Sequence, residues 1–328
     1  MTVRAWLTQW HETVRSEVSP KTHERYGEIV NNFLIPALGN LALVKLAPIN
    51  IQHAYNGWAT GGRHDGKPGG LSPRSRRHIH RILKSALSRA VEQQLLARNP
   101  AEVFKKRLPK VARRDMNTLT TDESARLLYA IKHTRIYWPV LIALSTGMRR
   151  GEVPALRWRN VDFEGAVVRV VESLEQTKTG IRFKSPKTDR TRAVTLPAFC
   201  IEELRRLKCQ QAEELLMLGV GQTAETLVRA RADGEPLQPQ SLTHQFTRLI
   251  TRIEDFPRIR LYDLRHSHAT QLLAVGVHPK IVQERLGHAS ITTTLDLYSH
   301  VTSTMQGDAA ARLDAAFQPA IKVLKAAK

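Results

Sequence analysis

The spacing of apolar residues changes along this chain, and that change limits the possible folds more than any other feature. In SPKTHERYGEIVNNFLIPALG and SPRSRRHIHRILKSALSRAVEQQLLA, apolar residues recur at helical spacing behind a Ser-Pro start, as in amphipathic helices. GAVVRVVES and TRAVTLP instead resemble short strands, with IRFKSPKTD between them, and helical patterns return from Leu196 onward. We therefore predict a mainly α chain of the α+β class, with a helical front half and a mixed second half containing a small antiparallel sheet.

A basic stretch separates the two halves. AEVFKKRLPKVARRDMN follows Asn99-Pro100, is rich in Lys and Arg, and is broken by Pro109, so its later part is interpreted as a linker. At 328 residues the chain is long enough for two domains with separate cores. The predicted divisions are a helical domain over 1–104, a basic linker over 105–116, a mixed domain over 117–301 and a tail helix over 302–328.

The charge of the chain points to a polyanionic partner. The formal net charge is +20, and residues 1–115 hold 20 Lys and Arg against 8 Asp and Glu. Neutralising phosphates releases counterions and gives affinity that does not depend on base sequence, although membrane-surface and ribosomal proteins are also basic. Aromatic residues make up only 6%, which argues against stacking on single strands. The side chains expected to contact DNA phosphates are Arg74, Arg76, Arg77, Arg81, Lys84, Lys105, Lys106, Arg107, Lys110, Arg113 and Arg114.

Other features limit location and cofactors. Cys200 and Cys209 are nine residues apart on a predicted helix, too far to form a disulfide, and no apolar run is long enough for a membrane span. We expect a cytoplasmic protein, at the bacterial nucleoid. The histidine pairs 78/80 and 266/268 are two residues apart and point to different sides of a helix, so neither a metal site nor a cofactor is predicted.

Two cationic stretches lie in the first part of the mixed domain. In LSTGMRRGEVPALRWRNVDF, Arg149 and Glu152 are three residues apart and are predicted to share a helix face, which would place a permanent charge suited to a phosphate. In FKSPKTDRTRAVTLP, Lys187 is predicted at the tip of a hairpin, where it could donate a proton. Taken alone, each stretch has a more common explanation: Arg149 and Glu152 would form a surface ion pair, and Lys187 would be a solvated lysine in a turn.

Two further stretches follow towards the carboxyl end. In RIRLYDLRHSHATQLLAVG, Arg265 is predicted one turn beyond Tyr262 on the same face of a helix. In LGHASITTTLDLYSHV, Gly287 ends a helix before His288, and Tyr298 lies at the end of a short Thr-rich helix. A phenol with a pKa near 10 is a poor nucleophile unless cations neutralise its target and a neighbour accepts its proton.

Together the blocks TGMRRGE, PKT, YDLRH, LGH and LDLYSHV, in this order over residues 117–301, resemble the tyrosine recombinase family, especially phage-type integrases. The resemblance implies a DNA-binding front domain and a catalytic mixed domain. Arg149 and Arg265 would clamp the scissile phosphate, with Glu152 orienting the arginines and His288 positioning the phosphate. Lys187 would be the general acid, and Tyr298 would attack to form a 3′-phosphotyrosine bond without ATP or metal.

The chain departs from the family pattern at one catalytic position. Where the family has His in its His-x-x-Arg block, this sequence has Tyr262, a weaker proton acceptor. Tyr262 is therefore interpreted either as a base or as a hydrogen-bonding partner of the phosphate, with another group or water accepting the proton. The chain also starts directly in the helical domain, without the arm-binding module of many relatives, which suggests either simple target sites or a shortened form.

The resemblance also implies partners. Duplex attachment sites, a tetramer at synapsis from a chain that is monomeric when free, and accessory DNA-bending or directionality proteins are expected. The tail stripe of Leu313, Ala316, Phe317, Ile321 and Leu324 would either cap its own domain or dock on a neighbouring protomer. Two other functions stay open: a type IB topoisomerase with similar chemistry, and a non-catalytic DNA-binding regulator, for which the five blocks would be coincidence.

Overall fold

The computed structural model describes residues 1–105, 107–112, 116–185, 191–231, 233–298, 307, 310–311, 313–319 and 321, with backbone only at 296–298. The chain divides into two compact units, Met1–Arg114 with Thr177–Thr179, and Asp115–Gln176 with Gly180–Lys328. In the described part of the chain, no helix has the length and apolar content needed to cross a membrane.

The first unit is helical, as predicted. Its helices are α1 (Val3–Thr13), α2 (Pro20–Ile29), α3 (Ile35–Leu38), α4 (Pro48–Thr60) and α5 (Pro73–Glu92). Ser19 and Ser72 cap α2 and α5, each followed by a Pro at the first helical position. The stretch predicted as one helix over α2 and α3 contains a π-helical turn, Val30–Leu34, because Pro36 has no N–H to donate one turn back.

The core of the first unit is formed by apolar faces of α1, α2 and α5. Trp6, Trp10, Leu83 and Leu87 are almost fully buried. The Trp6 indole Nε1 donates to the Ala86 carbonyl at 3.0 Å, so the polar atom of this buried side chain is satisfied. This packing places the polar face of α5 outside.

The second unit is mixed, as predicted. Its helices are α6 (Thr121–Ile131), α7 (Tyr137–Thr146), α8 (Ala198–Met217), α9 (Pro239–Ile250), α10 (Asp263–Ala274), α11 (Pro279–Leu286) and α12 (Ile291–Tyr298). Its strands are β1 (Val161–Asp162), β2 (Val167–Val170), β3 (Ser173–Thr177), β4 (Gly180–Lys184) and β5 (Arg192–Thr195). The predicted capping pattern before α6 is present, since Thr120 and Glu123 bond to each other's backbone N–H groups.

The strands form a three-stranded antiparallel sheet in the order β1-β2-β5 and a separate two-stranded sheet, β3-β4. GAVVRVVES and TRAVTLP therefore pair as expected, with Val168 opposite Val194, and both side chains lie in the core. The intervening stretch contributes β4 of the second sheet. The mainly α, α+β prediction is thus confirmed, and the central helix α7 is buried along nearly its whole length, because it is apolar on all sides.

Candidate active site

The site begins where α7 ends. Gly147 is the C-cap of α7 and has φ +66°, the left-handed conformation that favours glycine. A Cβ placed on Gly147 would lie 2.6 Å from Leu286 Cδ2 and 2.8 Å from His268 Cδ2. The end of α7 therefore packs directly against α10 and α11, and this close approach requires glycine.

Gly147→Ala is expected to lower the free energy of unfolding of this unit by about 3 kcal/mol, from left-handed strain and overpacking together. Chemical unfolding followed by fluorescence measures the change. Gly221→Ala is the matched control in the same unit, because a Cβ there meets nothing within 4 Å. Equal effects from the two substitutions would contradict the packing described at Gly147.

Arg149 lies in a turn beyond Gly147 and not on a helix, so the predicted shared helix face is wrong. Gly147 ends α7, and residues 150–152 form turns before a short 3-10 segment, Val153–Ala155. The turn still joins the pair: Glu152 accepts from the Arg149 backbone N–H at 2.7 Å and from Nη1 at 2.8 Å. Arg149 Nη2 donates to the Gly287 carbonyl at 2.8 Å. A quarter of the Arg149 side chain remains exposed to receive a ligand.

Glu152 is buried, with 1% of its surface exposed, between two guanidinium groups. Besides Arg149, it accepts from Arg192 Nη1 at 3.0 Å and from Arg192 Nη2 at 2.6 Å. Burial alone would raise its pKa, but the hydrogen bonds and charges of Arg192 and Arg149 outweigh burial and lower the pKa to about 2. Glu152 is therefore an anion that is hydrogen-bonded to both Arg149 and Arg192.

Arg265 is buried in α10, with 2% of its surface exposed. Its Nη1 donates to the Gly147 carbonyl and its Nη2 to the Leu286 carbonyl, both at 2.6 Å, while its Nε is buried and has no partner in the described part of the chain. Burial, reinforced by the neighbouring charge of Arg149, lowers the pKa of Arg265. An anion in contact with Arg265 would accept a hydrogen bond from Nε and would offset the repulsion between the Arg265 and Arg149 guanidinium groups.

Tyr262 and Arg265 line the same small pocket, in agreement with the predicted shared face. Helix α10 begins at Asp263, so Tyr262 precedes the first turn, and it is 48% exposed. Its ring meets that of His266 edge-to-face at 5.0 Å between centroids. His266 Nδ1 is buried and has no hydrogen-bond partner among the residues that the structure describes, and burial lowers the pKa of His266. Tyr262 is thus an accessible phenol beside an imidazole that favours its neutral form.

Three consecutive carbonyls at the end of α11 accept from three arginines, which we call the arginine cluster: Arg149, Arg192 and Arg265. Arg192 Nε donates to the Arg285 carbonyl at 2.8 Å, Arg265 to that of Leu286, and Arg149 to that of Gly287. The last carbonyls of a helix have no intrahelical partner and carry its negative pole. The cluster thus ties β5, α10 and the turn after α7 to one helix end and gathers cations beside His288.

Arg192 is the member of the cluster that the sequence analysis missed. It is the first residue of β5, and its side chain is 8% exposed. The available signal was its place at the start of TRAVTLP, five residues after Lys187. That signal is weak, because nothing local in the sequence indicates that Arg192 pairs with a carboxylate forty positions earlier.

His288 follows the left-handed Gly287 that ends α11, as predicted. Its Nδ1 is 2.9 Å from the Oγ1 of Thr294, which is fully buried in α12. Burial, followed by the charges of Arg265 and Arg149, lowers the pKa of His288 to about 4. His288 is therefore neutral near pH 7. Lys187 and the side chain of Tyr298 lie outside the described residues, although Tyr298 is the last residue of α12.

Folding stability is expected to depend on pH through His268. It is buried, its Nδ1–H donates to the Leu144 carbonyl at 2.7 Å, and burial, with the charge of Arg285, lowers its pKa to about 4. Between its ordinary value near 6.5 and about 4, the unfolded chain binds a proton that the folded chain does not. Folding stability must therefore fall as the pH falls through this window.

On moving from pH 7 to pH 5, the wild type is expected to lose about 2 kcal/mol more unfolding free energy than His268→Asn, which keeps a donor for Leu144 but does not titrate. Denaturant titrations at the two pH values measure this difference. Gln271→Asn in the same helix is a non-titrating control and should show the wild-type pH dependence. Parallel losses in wild type and His268→Asn would contradict the assignment.

The predicted phosphate contacts of the first unit occupy different environments. Arg74, Arg77 and Arg81 are exposed at helical spacing along one face of α5. Lys105, Arg107 and Lys110, which follow the helix in the chain, are also exposed. Arg76 is half-buried, and its Nε has no partner within the described ranges. Lys84 pairs with Glu102 at 2.9 Å. Lys106, Arg113 and Arg114 lie outside the described residues.

One group in the described part of the chain gathers metal-ligand atoms, namely His11, Glu12 and His23, within 4.8 Å of one another. The two rings stack at 3.9 Å with 8° between their planes, and each Nε2 bonds to the backbone carbonyl of the other residue, at 3.0 Å. A metal lies in the plane of each imidazole that binds it, and two parallel stacked planes have no common point. This pair braces α1 against α2 and does not fit a metal.

Two family models match the chain. The one described as the phage integrase family matches residues 117–305, and the one described as the phage integrase N-terminal SAM-like domain matches residues 2–59. The chain is 26% identical over 333 residues to a tyrosine recombinase XerC-like protein of Caldanaerobacter subterraneus subsp. tengcongensis, covering 96% of this chain and 82% of the relative.

Solved structures have the same fold. The Tn1549 transposon integrase, in complex with a circular intermediate DNA, superposes with a TM-score of 0.76 at 21% identity, covering 94% of this chain and 99% of that one. A lambda integrase tetramer bound to a Holliday junction superposes with a TM-score of 0.66 at 20% identity, covering 90% of this chain and 77% of that one.

Proposed function

The chain belongs to the phage integrase family and is a site-specific DNA recombinase, and we propose that its arginine cluster holds the scissile phosphate while Tyr298 attacks it. One observation carries this proposal. Arg149 and Arg265, 116 positions apart in sequence, converge on adjacent carbonyls beside His288. Arg265 keeps a buried Nε–H without a partner among the described residues, and Arg149 is a quarter exposed. A phosphate supplies the acceptor that the Arg265 Nε–H lacks and a negative charge for both guanidinium groups.

The arginines act by stabilising charge. Attack on a phosphodiester adds negative charge to the non-bridging oxygens, and preorganised cations in a water-poor site stabilise that charge without rearranging. Arg149 and Arg265 take this role, held in place by Glu152 and the end of α11. Neutral His288 donates a further hydrogen bond through Nε2 when its Nδ1 accepts from Thr294.

Tyr298 is the nucleophile in this proposal. Residue 298 lies one turn beyond Thr294 on the same face of α12, and Thr294 bonds to His288. The phenol oxygen bonds to phosphorus, and the bond to the 5′ oxygen breaks, with Lys187 giving that oxygen a proton. The 3′-phosphotyrosine bond conserves the phosphodiester energy, so a 5′ hydroxyl of the partner duplex reverses the step without ATP. Either Tyr262 or another group, including water, accepts the phenol proton.

The wider assignments follow the same proposal. Residues 1–104 and the linker 105–116 grip the DNA backbone through the basic side chains named above, except Lys84, which is paired with Glu102. Residues 117–301 perform the chemistry, and the protein acts in the cytoplasm at the nucleoid. The tail, 302–328, docks on a neighbouring protomer in a tetramer. The described tail residues Leu313, Phe317 and Ile321 are helical, fall on one face and are exposed on their own chain, which favours docking in trans.

Salt dependence tests the DNA grip. Arg77→Gln and Arg81→Gln are each expected to weaken binding of all duplex sequences alike and to reduce the slope of log affinity against log salt by about 1, because each removes one phosphate contact. Fluorescence anisotropy over a salt series measures the slope. Lys84→Gln is the matched control, since Glu102 already neutralises Lys84. An effect of Lys84→Gln as large as the others would contradict this assignment.

Strand exchange tests the function itself. A supercoiled plasmid with two directly repeated candidate attachment sites is expected to yield two smaller circles, whereas a plasmid without sites keeps its supercoils. Relaxation of both plasmids at similar rates would instead support a type IB topoisomerase. Tight site binding without cleavage would support a non-catalytic regulator.

A further inference from the structure

We propose that Arg192 is a positioning residue of the cleavage step, acting on Arg149 through Glu152 and on the end of α11 through the Arg285 carbonyl. The proposal rests on the recombinase function proposed above. It adds to the clamp a third arginine that does not touch the phosphate.

The contacts of Arg192 direct its guanidinium into the protein. Its Nη1 and Nη2 donate to the two oxygens of Glu152 at 3.0 and 2.6 Å, and its Nε donates to the Arg285 carbonyl at 2.8 Å. All three nitrogens are therefore engaged, and the side chain is 8% exposed. A Cβ on Gly287 would lie 3.1 Å from Arg192 Cδ, so the side chain packs against the turn that precedes His288.

The charge balance explains why a third arginine is needed. Without Arg192, Glu152 would have Arg149 as its only ion-pair partner, and one negative charge would cancel the cation that faces the phosphate. With Arg192 present, the arginine cluster and Glu152 together carry a net charge of +2. The phosphodiester carries one negative charge and its pentacoordinate transition state carries two. Arg192 should therefore stabilise the transition state more than bound DNA.

The position of Arg192 also links two parts of the site. It opens β5, the strand that follows the segment with Lys187, and it is bonded to the end of α11, which leads into His288. One side chain thus connects the strand after the proposed general acid to the arginine cluster. Loss of the Arg192 hydrogen bonds would displace β5 and the end of α11 from each other, and a displacement of about 1 Å can lower the cleavage rate about 100-fold.

The test is single-turnover cleavage of a nicked attachment-site duplex, which traps the covalent adduct. Arg192→Met is expected to cleave about 100-fold more slowly than wild type, with DNA affinity unchanged within about twofold, as in loss of transition-state binding alone. Arg169→Met on the neighbouring strand β2 is the matched control, because the Arg169 side chain is exposed and forms an ion pair with Asp162, at 3.8 Å, away from Glu152. Wild-type rates for both variants would overturn the proposal.

A double variant separates positioning from a general loss of structure. Because Arg192 acts through Glu152, Arg192→Met with Glu152→Gln is expected to cleave no more slowly than the slower single variant, and it leaves no buried carboxylate short of a partner. Rate losses that multiply would overturn the proposal.

If Arg192→Met fails to fold, Arg192→Lys is the test variant, since it keeps the charge but not the paired hydrogen bonds to Glu152. We expect a rate about tenfold below wild type with the melting temperature within about 3 °C, and a wild-type rate would overturn the proposal.

Failure of the recombinase function would give a different result. Wild type that binds the duplex but forms no adduct would overturn the proposed function and this inference together. An adduct in wild type whose yield is insensitive to Arg192 would overturn this inference alone.

Discussion

Tyr298→Phe is expected to reduce the covalent protein–DNA adduct below detection while DNA affinity stays within about twofold of wild type. The substitution removes only the oxygen that bonds to phosphorus, and a phenyl ring cannot replace it as a nucleophile. A nicked attachment-site duplex traps the adduct, because the released strand diffuses away before the 5′ hydroxyl can reverse the attack. Denaturing gel electrophoresis then separates attached from free DNA, and peptide mapping identifies the linked residue.

Tyr262→Phe is the matched control for this experiment. Tyr262 is the half-exposed phenol beside Arg265, so its loss tests whether another tyrosine can be the nucleophile. The control is expected to form adduct, with a slower rate if Tyr262 accepts the proton and an unchanged rate if another group or water does. Adduct that survives in Tyr298→Phe but is absent in Tyr262→Phe would show that the nucleophile has been assigned wrongly.

Replacing either clamp arginine by Lys is expected to slow cleavage by about 1,000-fold, because each substitution removes a preorganised charged donor from the developing charge. The two variants should differ in stability. Arg265→Lys removes a bond to Gly147 or Leu286 from a buried site and should lower the unfolding free energy by about 2 kcal/mol. Arg149→Lys affects a partly exposed side chain and should cost about 1 kcal/mol or less.

Parallel measurements of cleavage and unfolding separate the two contributions. Cleavage by both variants is measured at a temperature where each variant is fully folded, as its unfolding curve shows. Arg150→Lys is the control, since Arg150 adjoins Arg149 but is exposed and bonds to Thr243. If Arg265→Lys cleaves DNA at the wild-type rate despite lower stability, Arg265 is a structural residue and the phosphate clamp is wrong.

The front helices, the capping pattern before α6, the strands in GAVVRVVES and TRAVTLP and the stop at Gly287 could all be predicted, because each depends on local residue preferences. The helix face proposed for Arg149 and Glu152 was wrong for a local reason too. Gly147 ends α7, and the sequence beyond it forms turns. The ion pair forms nonetheless, because residues three apart meet in a turn as well as in a helix.

Hydrophobic period, net charge and ordered blocks are properties of the linear chain, and they were enough to predict the class of fold, the charge suited to DNA and the residue types of the site. Which arginines act together depends on the folded protein. Arg149, Arg192 and Arg265 meet because the end of α11 presents three unpaired carbonyls to them, and Glu152 selects Arg192 from forty positions away. Burial also decided that Tyr262 is accessible and that His288 is neutral, since exposure and desolvation depend on neighbours that are distant in the sequence.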